Sequence, residues 1–525
     1  MAGGRQTCSR GHLIAVAARE SGLHPSCFLA AIHPSPDCKW GTSVALSMDI
    51  PASIFRAYDV RGVVDRDLTS ARVEALGLAF GSMARQKGLQ RLAVAQDGRL
   101  SGPRLQKALL DGLLASGCTV LNLGMVPTPV LYFAIEYLQA DGGIMVTGSH
   151  NPPDYNGLKM VLDGQSLHGD AIQALYQRCV ADDFVTGAGA HDAVVDVLAA
   201  YRARIVNDVH LARPLRIALD CGNGVAGVVA PNLFQVLGCT VHELSSDIDG
   251  GFSHHHPDPS DPENLQDLMA LVDAEDLDIG LAFDGDADRL GVVVPGREII
   301  WPDRLLMFFA EDILARYPGA PILFDIKSTR QLIEVVKAAG GQPIMWKTGH
   351  SVLKSKMAEL GAPLAGELSG HLFFGDRWYG FDDGLYAGAR LLELLSQRSA
   401  APGAVLRTLP KAYSTPELRI PLTEGEHFVL MEDIRRAARG RFTGTPVIEL
   451  DGLRVEFTDG WGLVRASNTQ PVLTLRFEGD SEAALARIES EFRDLLRAAR
   501  ADLSLPLYKD DRRIMRRNCA CHQND

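Results

Sequence analysis

Leu92-Ala-Val-Ala-Gln-Asp97-Gly-Arg-Leu-Ser-Gly102 is a short apolar run that ends on an aspartate and breaks into a glycine-bounded loop. The pattern returns twice. Ile217-Ala-Leu-Asp220 precedes Cys-Gly-Asn-Gly, and Ile322-Leu-Phe-Asp325 precedes Ile-Lys-Ser-Thr. The aspartates lie 123 and 105 residues apart, the spacing of whole domains rather than of a solenoid. A helix-like stretch follows each loop, and apolar strands alternating with helical stretches predict α/β units around buried sheets. Toward the C-terminus the pattern changes. Residues 447–457 and 472–477 alternate as strands, and Ser481 then opens a helix with Leu485, Ile488, Phe492, Leu495 and Ala499 on one face. Three α/β domains followed by one α+β domain, its helix covering a small antiparallel sheet, are expected.

The chain has 525 residues, 46% hydrophobic and 22% charged, enough for several cores and far from the composition of a disordered chain. Its 52 Lys and Arg against 65 Asp and Glu give a net charge of −13. That field repels nucleic acid and anionic membranes at long range, so neither is an expected partner. No apolar run approaches the ~20 residues of a membrane span. Nine cysteines, an odd number scattered along a long chain, do not form a disulfide framework and suit a reducing cytosol. Cys519-Ala-Cys521-His522 is a weaker metal candidate than a frayed terminus, having no second pair nearby. Near the other end, Leu13-Ile-Ala-Val-Ala-Ala18 is cut short by Arg19-Glu20 before it reaches the length of a secretory core. Residues 1–48 read as a disordered extension, with Met48 a candidate for the true start and a cytoplasmic location expected.

Five further segments carry chemistry. Thr147-Gly-Ser149-His150-Asn151-Pro-Pro follows the apolar Gly143-Ile-Met-Val146; its glycine and prolines predict a stiff, exposed loop presenting the Ser149 hydroxyl. No Gly-x-Ser-x-Gly elbow surrounds it, so an acyl-transfer triad has no support. Asp284-Gly-Asp286-Ala-Asp288-Arg289 follows Ile279-Gly-Leu-Ala-Phe283, and three carboxylates at alternate positions can converge on a hard cation, Mg²⁺ or Ca²⁺ rather than zinc. An EF-hand fails here, with Arg289 where glycine is required and Pro295 where glutamate is. Lys347-Thr348-Gly349-His350 and Gly366-Glu367-Leu-Ser369-Gly-His371 come next. An extended segment would point Glu367, Ser369 and His371 the same way, a set that suits a polyol such as a sugar. Arg465-Ala-Ser467-Asn468-Thr469 has the composition of a phosphate cradle.

In this order, and with Ile54-Phe-Arg-Ala-Tyr58-Asp-Val-Arg61-Gly, these motifs resemble the α-D-phosphohexomutase superfamily, most closely its bacterial phosphomannomutase/phosphoglucomutase enzymes. The resemblance runs from about Ser53 to the early five hundreds. It implies a four-domain, heart-shaped α/β phosphohexomutase, three similar α/β domains plus a C-terminal α+β (TBP-like) domain. The boundaries expected are 49–195, 196–298, 299–411 and 412–505, with a tail at 506–525. It implies a phosphoserine at Ser149 and one Mg²⁺ per chain held by Asp284, Asp286, Asp288 and the phosphoserine. Arg61, Lys159, Arg289 and His350 would join Ser149 in catalysis, Lys159 and His350 being the candidates for proton transfer. Tyr58, Arg289, Lys327, Thr348, Gly349, His350, Glu367, Ser369 and His371 would contact the substrate, and Arg465, Ser467, Asn468 and Thr469 its non-reacting phosphate. The activity implied is interconversion of hexose 1- and 6-phosphates of mannose and glucose through a bound 1,6-bisphosphate. Glucose 1,6-bisphosphate would prime the serine, and the working unit would be a monomer.

Gly-Glu-Leu-Ser-Gly-His at 366–371 is close to the Gly-Glu-Met-Ser-Gly-His of the dual mannose/glucose enzymes, whereas phosphoglucosamine mutases tend to carry glutamine at the third place. Gly375-Asp-Arg-Trp-Tyr-Gly-Phe-Asp-Asp-Gly384 also looks like the mannose/glucose group. A phosphoglucosamine mutase and a silent sugar-phosphate binding protein remain the alternatives, although neither the serine nor a metal carboxylate is lost. A Ca²⁺-binding structural protein is disfavoured by the failed loop pattern, and a phosphatase would have no use for two phosphate sites flanking a sugar loop.

Overall fold

The computed structural model describes residues 49–192 and 195–503. The N-terminal extension with Met48 and the tail with Cys519, Cys521 and His522 lie outside the described residues.

Each of the three strand-plus-aspartate segments is an interior strand of its own sheet. Arg91–Gln96 lies between Thr119–Met125 and Gly142–Val146, parallel to both; Tyr155–Leu162 pairs antiparallel to the latter and Val60–Val63 closes that edge. Arg216–Asp220 lies in the same way between Thr240–Leu244 and Ile279–Phe283, followed by antiparallel Leu290–Val294. Pro321–Asp325 lies between Gln342–Trp346 and Leu364–Gly366, followed by antiparallel Leu372–Phe374. The order second, first, third, fourth strand is therefore built three times. Burial on both faces explains the unbroken apolar runs: Ile279–Phe283 is buried at every position.

The topology places the functional motifs. Ser149, the acidic loop and Glu367–His371 each fill the connection between the third strand of a sheet and its antiparallel fourth. A connection there leaves the C-terminal ends of the parallel strands, where ligands bind in open α/β sheets.

The fourth unit is a six-stranded, wholly antiparallel sheet on which the helices Glu426–Ala438 and Glu482–Ala499 pack. Ser481 caps the second helix, accepting from the Ala484 amide, and Leu485, Ile488, Phe492 and Leu495 are buried, with Ala499 at the margin. Residues 447–457 do not form one strand. Val447–Ile448 and Leu453–Phe457 pair with each other around a turn at Gly452, where φ is +98° and a Cβ would lie 2.4 Å from the Val464 carbonyl oxygen. Alternation cannot reveal a hairpin whose turn preserves the period.

One continuous apolar core runs through the first three units, joining Leu121 and Phe133 to Ile217 and Phe283 and to Phe324 and Leu391. The fourth unit has its own core and meets the third through a small cluster, Ile326, Trp461 and Leu463. Buried arginines reinforce that junction. Arg454 stacks 3.7 Å from the Trp461 ring centroid and donates to the Ile326 and Ser328 carbonyls, and Arg476 donates to the Lys327 carbonyl. Among the described residues no helix is long and apolar enough to cross a membrane.

Candidate active site

These three connections and the 467–471 turn of the fourth unit meet at a cleft of about 670 Å³. Tyr58, Arg61, Ser149, Lys159, Arg289, Lys327, Thr348, Gly349, His350, Glu367, Ser369, His371, Arg465, Ser467, Asn468 and Thr469 all line it. The three aspartates stand behind Ser149, fully buried.

Ser149 is not exposed as its loop composition suggests; it is 1% accessible, at the floor of the cleft. Its loop folds inward because Asp97, just past the central strand, accepts from the Thr147 hydroxyl at 2.7 Å and the Gly148 amide at 3.2 Å. The Ser149 amide donates to the Thr147 hydroxyl, and φ is +47°. Its hydroxyl donates to Asp284 Oδ2 at 2.7 Å, joining the first unit to the second. Arg61, from the edge strand, donates to Asp59 at 2.6 Å and to the Asn151 side chain.

Asp284, Asp286 and Asp288 bring carboxylate oxygens within 4.8 Å of one another. Lys159 donates to Asp286 at 2.7 Å and to Asp288, and Thr128 donates to Asp286 at 2.6 Å. Burial and the two neighbouring carboxylates push Asp284 well above the usual range; for Asp286 and Asp288, Lys159 outweighs burial and lowers both. Asp286 Oδ1 lacks a hydrogen-bond partner among the described residues, and Asp288 Oδ1 faces His371 Nε2 at 3.2 Å. Three crowded, buried carboxylates with one oxygen left unpaired fit a hard divalent cation.

Glu367, Ser369 and His371 converge, but through a tight turn rather than an extended segment. The Glu367 amide donates to the His371 carbonyl, the Gly370 amide donates to that of Glu367, and Gly370 has φ +103°. Glu367 lies 2.8 Å from His371 Nδ1 and accepts from the Gly349 amide at 2.6 Å. Burial opposes both charges, yet the pairing lowers Glu367 to about 2, while Asp288 and Glu367 raise His371 to about 9. Arg289 Nε lies 3.3 Å from His371 Nε2. His350 begins the helix His350–Leu360 with Nδ1 3.3 Å from Asp382; burial lowers its pKa, leaving a neutral imidazole at pH 7.

In the fourth unit, Ala466 ends a strand and 467–471 turn back into Val472–Gly479. Arg465 pairs with Asp451 at 3.2 Å, the Thr348 amide donates to the same carboxylate at 3.0 Å, and the amides of Thr469 and Gln470 point at Ser467 Oγ. Tyr58 joins three units: its hydroxyl donates to the Thr348 carbonyl at 2.6 Å and accepts from Asn468 Nδ2 at 2.7 Å.

Sequence reasoning missed Asp382, Glu417 and Asp451. Asp382 holds Lys354 at 2.8 Å beside His350, and Glu417 holds Lys327 at 2.9 Å. Each is a single carboxylate without a motif, and its role depends on partners that only the tertiary fold supplies. Asp382 did lie in the quoted 375–384 segment, which was the one available signal.

Comparison with known proteins places the four units. Models of phosphoglucomutase/phosphomannomutase match in order: alpha/beta/alpha domain I at 52–186, domain II at 199–297, domain III at 301–413 and the C-terminal domain at 417–495. The chain is 52% identical over 464 residues to a phosphomannomutase/phosphoglucomutase of Pseudomonas aeruginosa, covering 88% of this chain and 100% of that protein. It is 54% identical over 452 residues to a phosphoglucomutase of Neisseria gonorrhoeae, covering 85% and 97%. A crystal structure of a phosphoglucomutase/phosphomannomutase family protein from Burkholderia thailandensis superimposes with a TM-score of 0.82 at 54% identity, over 87% of this chain and all of that one. With all four domains matched along the chain in order, the chain belongs to the phosphoglucomutase/phosphomannomutase family.

Proposed function

We propose that this protein interconverts the 1- and 6-phosphates of mannose and glucose through a phosphoserine at Ser149. The observation that carries the proposal is the meeting at one cleft of a buried serine backed by an acidic triad, the 367–371 turn and the 467–471 turn, the first three on equivalent connections of three units and the last from the antiparallel fourth unit. The units proposed are 49–195, 196–298, 299–411 and 412–505.

Asp284, Asp286 and Asp288 would hold one Mg²⁺, which neutralises charge on a phosphoryl oxygen when bound. Arg61, Lys159 and Arg289 add positive charge around Ser149 within a protein of net charge −13. In the first half-reaction the bond from phosphorus to Ser149 Oγ breaks and a bond to the sugar 6-oxygen forms, while that hydroxyl gives up its proton. The hexose 1,6-bisphosphate turns end for end. The bond from phosphorus to the 1-oxygen then breaks, Ser149 is rephosphorylated and the proton returns to the released hydroxyl. Phosphoryl transfer is carried mainly by positioning and charge neutralisation, which the cleft supplies.

His350 is the better candidate for proton transfer: its imidazole is neutral and 5.4 Å from the His371 ring, whereas Lys159 is bound to two carboxylates. Glu367, Ser369 and His371 would hold sugar hydroxyls, with Lys327, Thr348, Gly349 and Tyr58 at the rim. Arg465, Ser467, Asn468 and Thr469 would grip the resting phosphate. Glucose 1,6-bisphosphate would prime the serine, and the protein would work as a cytoplasmic monomer. Incubation with ³²P-labelled glucose 1,6-bisphosphate followed by peptide mapping tests the phosphoserine. Label on the peptide containing Ser149 is expected, and label elsewhere or none overturns the assignment.

A further inference from the structure

The loop that carries Ser149 is wrapped around a side chain that the chemistry above does not use. Arg99 is fully buried and does not line the cleft. Its Nη1 donates to the carbonyls of Pro152 at 2.6 Å and Tyr155 at 3.0 Å, and its Nη2 to those of Ser149 and Asn151, both at 2.6 Å. One planar group thus holds four carbonyls within residues 149–155. Asp97 fixes the guanidinium from below, with Oδ2 3.2 Å from Nε and Oδ1 accepting the Arg99 amide. The same Asp97 holds Thr147 and Gly148.

Two neighbours fit this arrangement closely. A Cβ on Gly148 would lie 2.6 Å from Arg99 Cζ, so the loop can close on the guanidinium only with glycine there. From the second unit, the Phe252 ring covers the guanidinium, with Cζ 4.9 Å from its centroid. Lysine could not replace this group, since an ammonium presents its donors from one point rather than as a fork.

The loop needs such a hold. Ser149 sits at φ +47°, a conformation that a residue with a side chain keeps only where its surroundings impose it. Its oxygen must also be the leaving group in one half-reaction and the nucleophile in the other, from a single position. A displacement of about 1 Å can cost about 100-fold in rate.

We propose that Arg99 is the positioning residue of the phosphoserine, holding the loop backbone so that Ser149 Oγ meets both phosphoryl groups without Arg99 touching either. This inference rests on the phosphoserine reading, and its test separates the two. Wild type, Arg99→Lys, Arg99→Ala and Phe252→Leu are compared by steady-state kinetics, by single-turnover transfer from the phosphoenzyme, and by hydrogen exchange.

For Arg99→Lys, kcat and the single-turnover rate should fall about 10- to 100-fold with KM changed less than about threefold. Exchange should quicken across 148–155 and stay unchanged in Gly142–Val146. Guanidinium ion should restore Arg99→Ala at least about fivefold and leave wild type unchanged, which a merely structural role would not produce. Should Arg99→Ala fail to fold, Phe252→Leu carries the same signature at about two- to fivefold, because it removes only the covering ring. Wild-type turnover in Arg99→Lys, a fall expressed in KM alone, or exchange that quickens uniformly would overturn the proposal. If wild type itself does not isomerise sugar phosphates, the functional reading fails, and the exchange pattern alone decides the clamp.

Discussion

Replacing Tyr58 by phenylalanine removes one oxygen and nothing else from the place where three units meet. The hydroxyl donates to the Thr348 carbonyl at 2.6 Å and accepts from Asn468 at 2.7 Å. Each hydrogen bond is worth ~0.5–1.5 kcal/mol net, so together they contribute ~1–3 kcal/mol. The freed groups border the cleft and recover some of this from water, which leaves ~1–2 kcal/mol, or roughly 5- to 30-fold in kcat/KM. The contact joins the Thr348 loop to the Asn468 turn, proposed to hold sugar and resting phosphate, so the loss should fall on closure over the substrate. A cleft that closes less well admits water, and part of the phosphoryl flux should go to free phosphate. The assay is initial rates with glucose 1-phosphate, with ³¹P NMR dividing product between 6-phosphate and free phosphate. The melting temperature should fall by no more than a few degrees, because the ring and its packing remain. Unchanged kcat/KM together with an unchanged product ratio would refute the role given to this contact.

Ser149→Ala should abolish isomerisation while calorimetry still detects sugar-phosphate binding; residual turnover at the wild-type rate would contradict the mechanism. Stripping divalent cations should abolish activity, and returning Mg²⁺ should restore it and raise the melting temperature, since the cation relieves repulsion among three buried carboxylates; a melting curve indifferent to Mg²⁺ would speak against the site. His255 is raised to about 9, first by its hydrogen bond to Asp220. A raised histidine stabilises the fold fully below pH ~6.5, and that contribution is lost as pH rises to about 9. His255→Asn should therefore lower the melting temperature at pH 6 and much less at pH 9.5; an equal loss at both would refute the pairing. Gly349→Ala should destabilise by ~1–3 kcal/mol, because φ is +132° and a Cβ would lie 2.5 Å from the Tyr58 ring; an unchanged melting curve would show that the loop accommodates the methyl.

Much of this was legible in the sequence because the fold repeats itself. An apolar strand buried on both faces is recognisable without its partners, and an aspartate at its end marks where the parallel strands open. The motifs could be read because each is contiguous: a serine loop stiffened by glycine and prolines or three alternating aspartates keep their chemistry in any context. What could not be read depends on residues far apart in sequence. Ser149 looked exposed because glycine and prolines surround it; it is buried because Asp97, some fifty residues earlier, draws the loop inward. Glu367 and His371 were expected to align along a strand, and a left-handed Gly370 brings them together instead. Asp451 gives no local signal at all, since it becomes part of the site only by meeting Thr348 and Arg465.

The central claim is isomerisation, and a ³¹P NMR time course tests it most directly. Mannose 1-phosphate, glucose 1-phosphate and glucosamine 1-phosphate are supplied separately with Mg²⁺ and a trace of glucose 1,6-bisphosphate. The account predicts conversion of the first two to their 6-phosphates. Conversion of glucosamine 1-phosphate alone, release of free phosphate without isomerisation, or no change in any tube would contradict it.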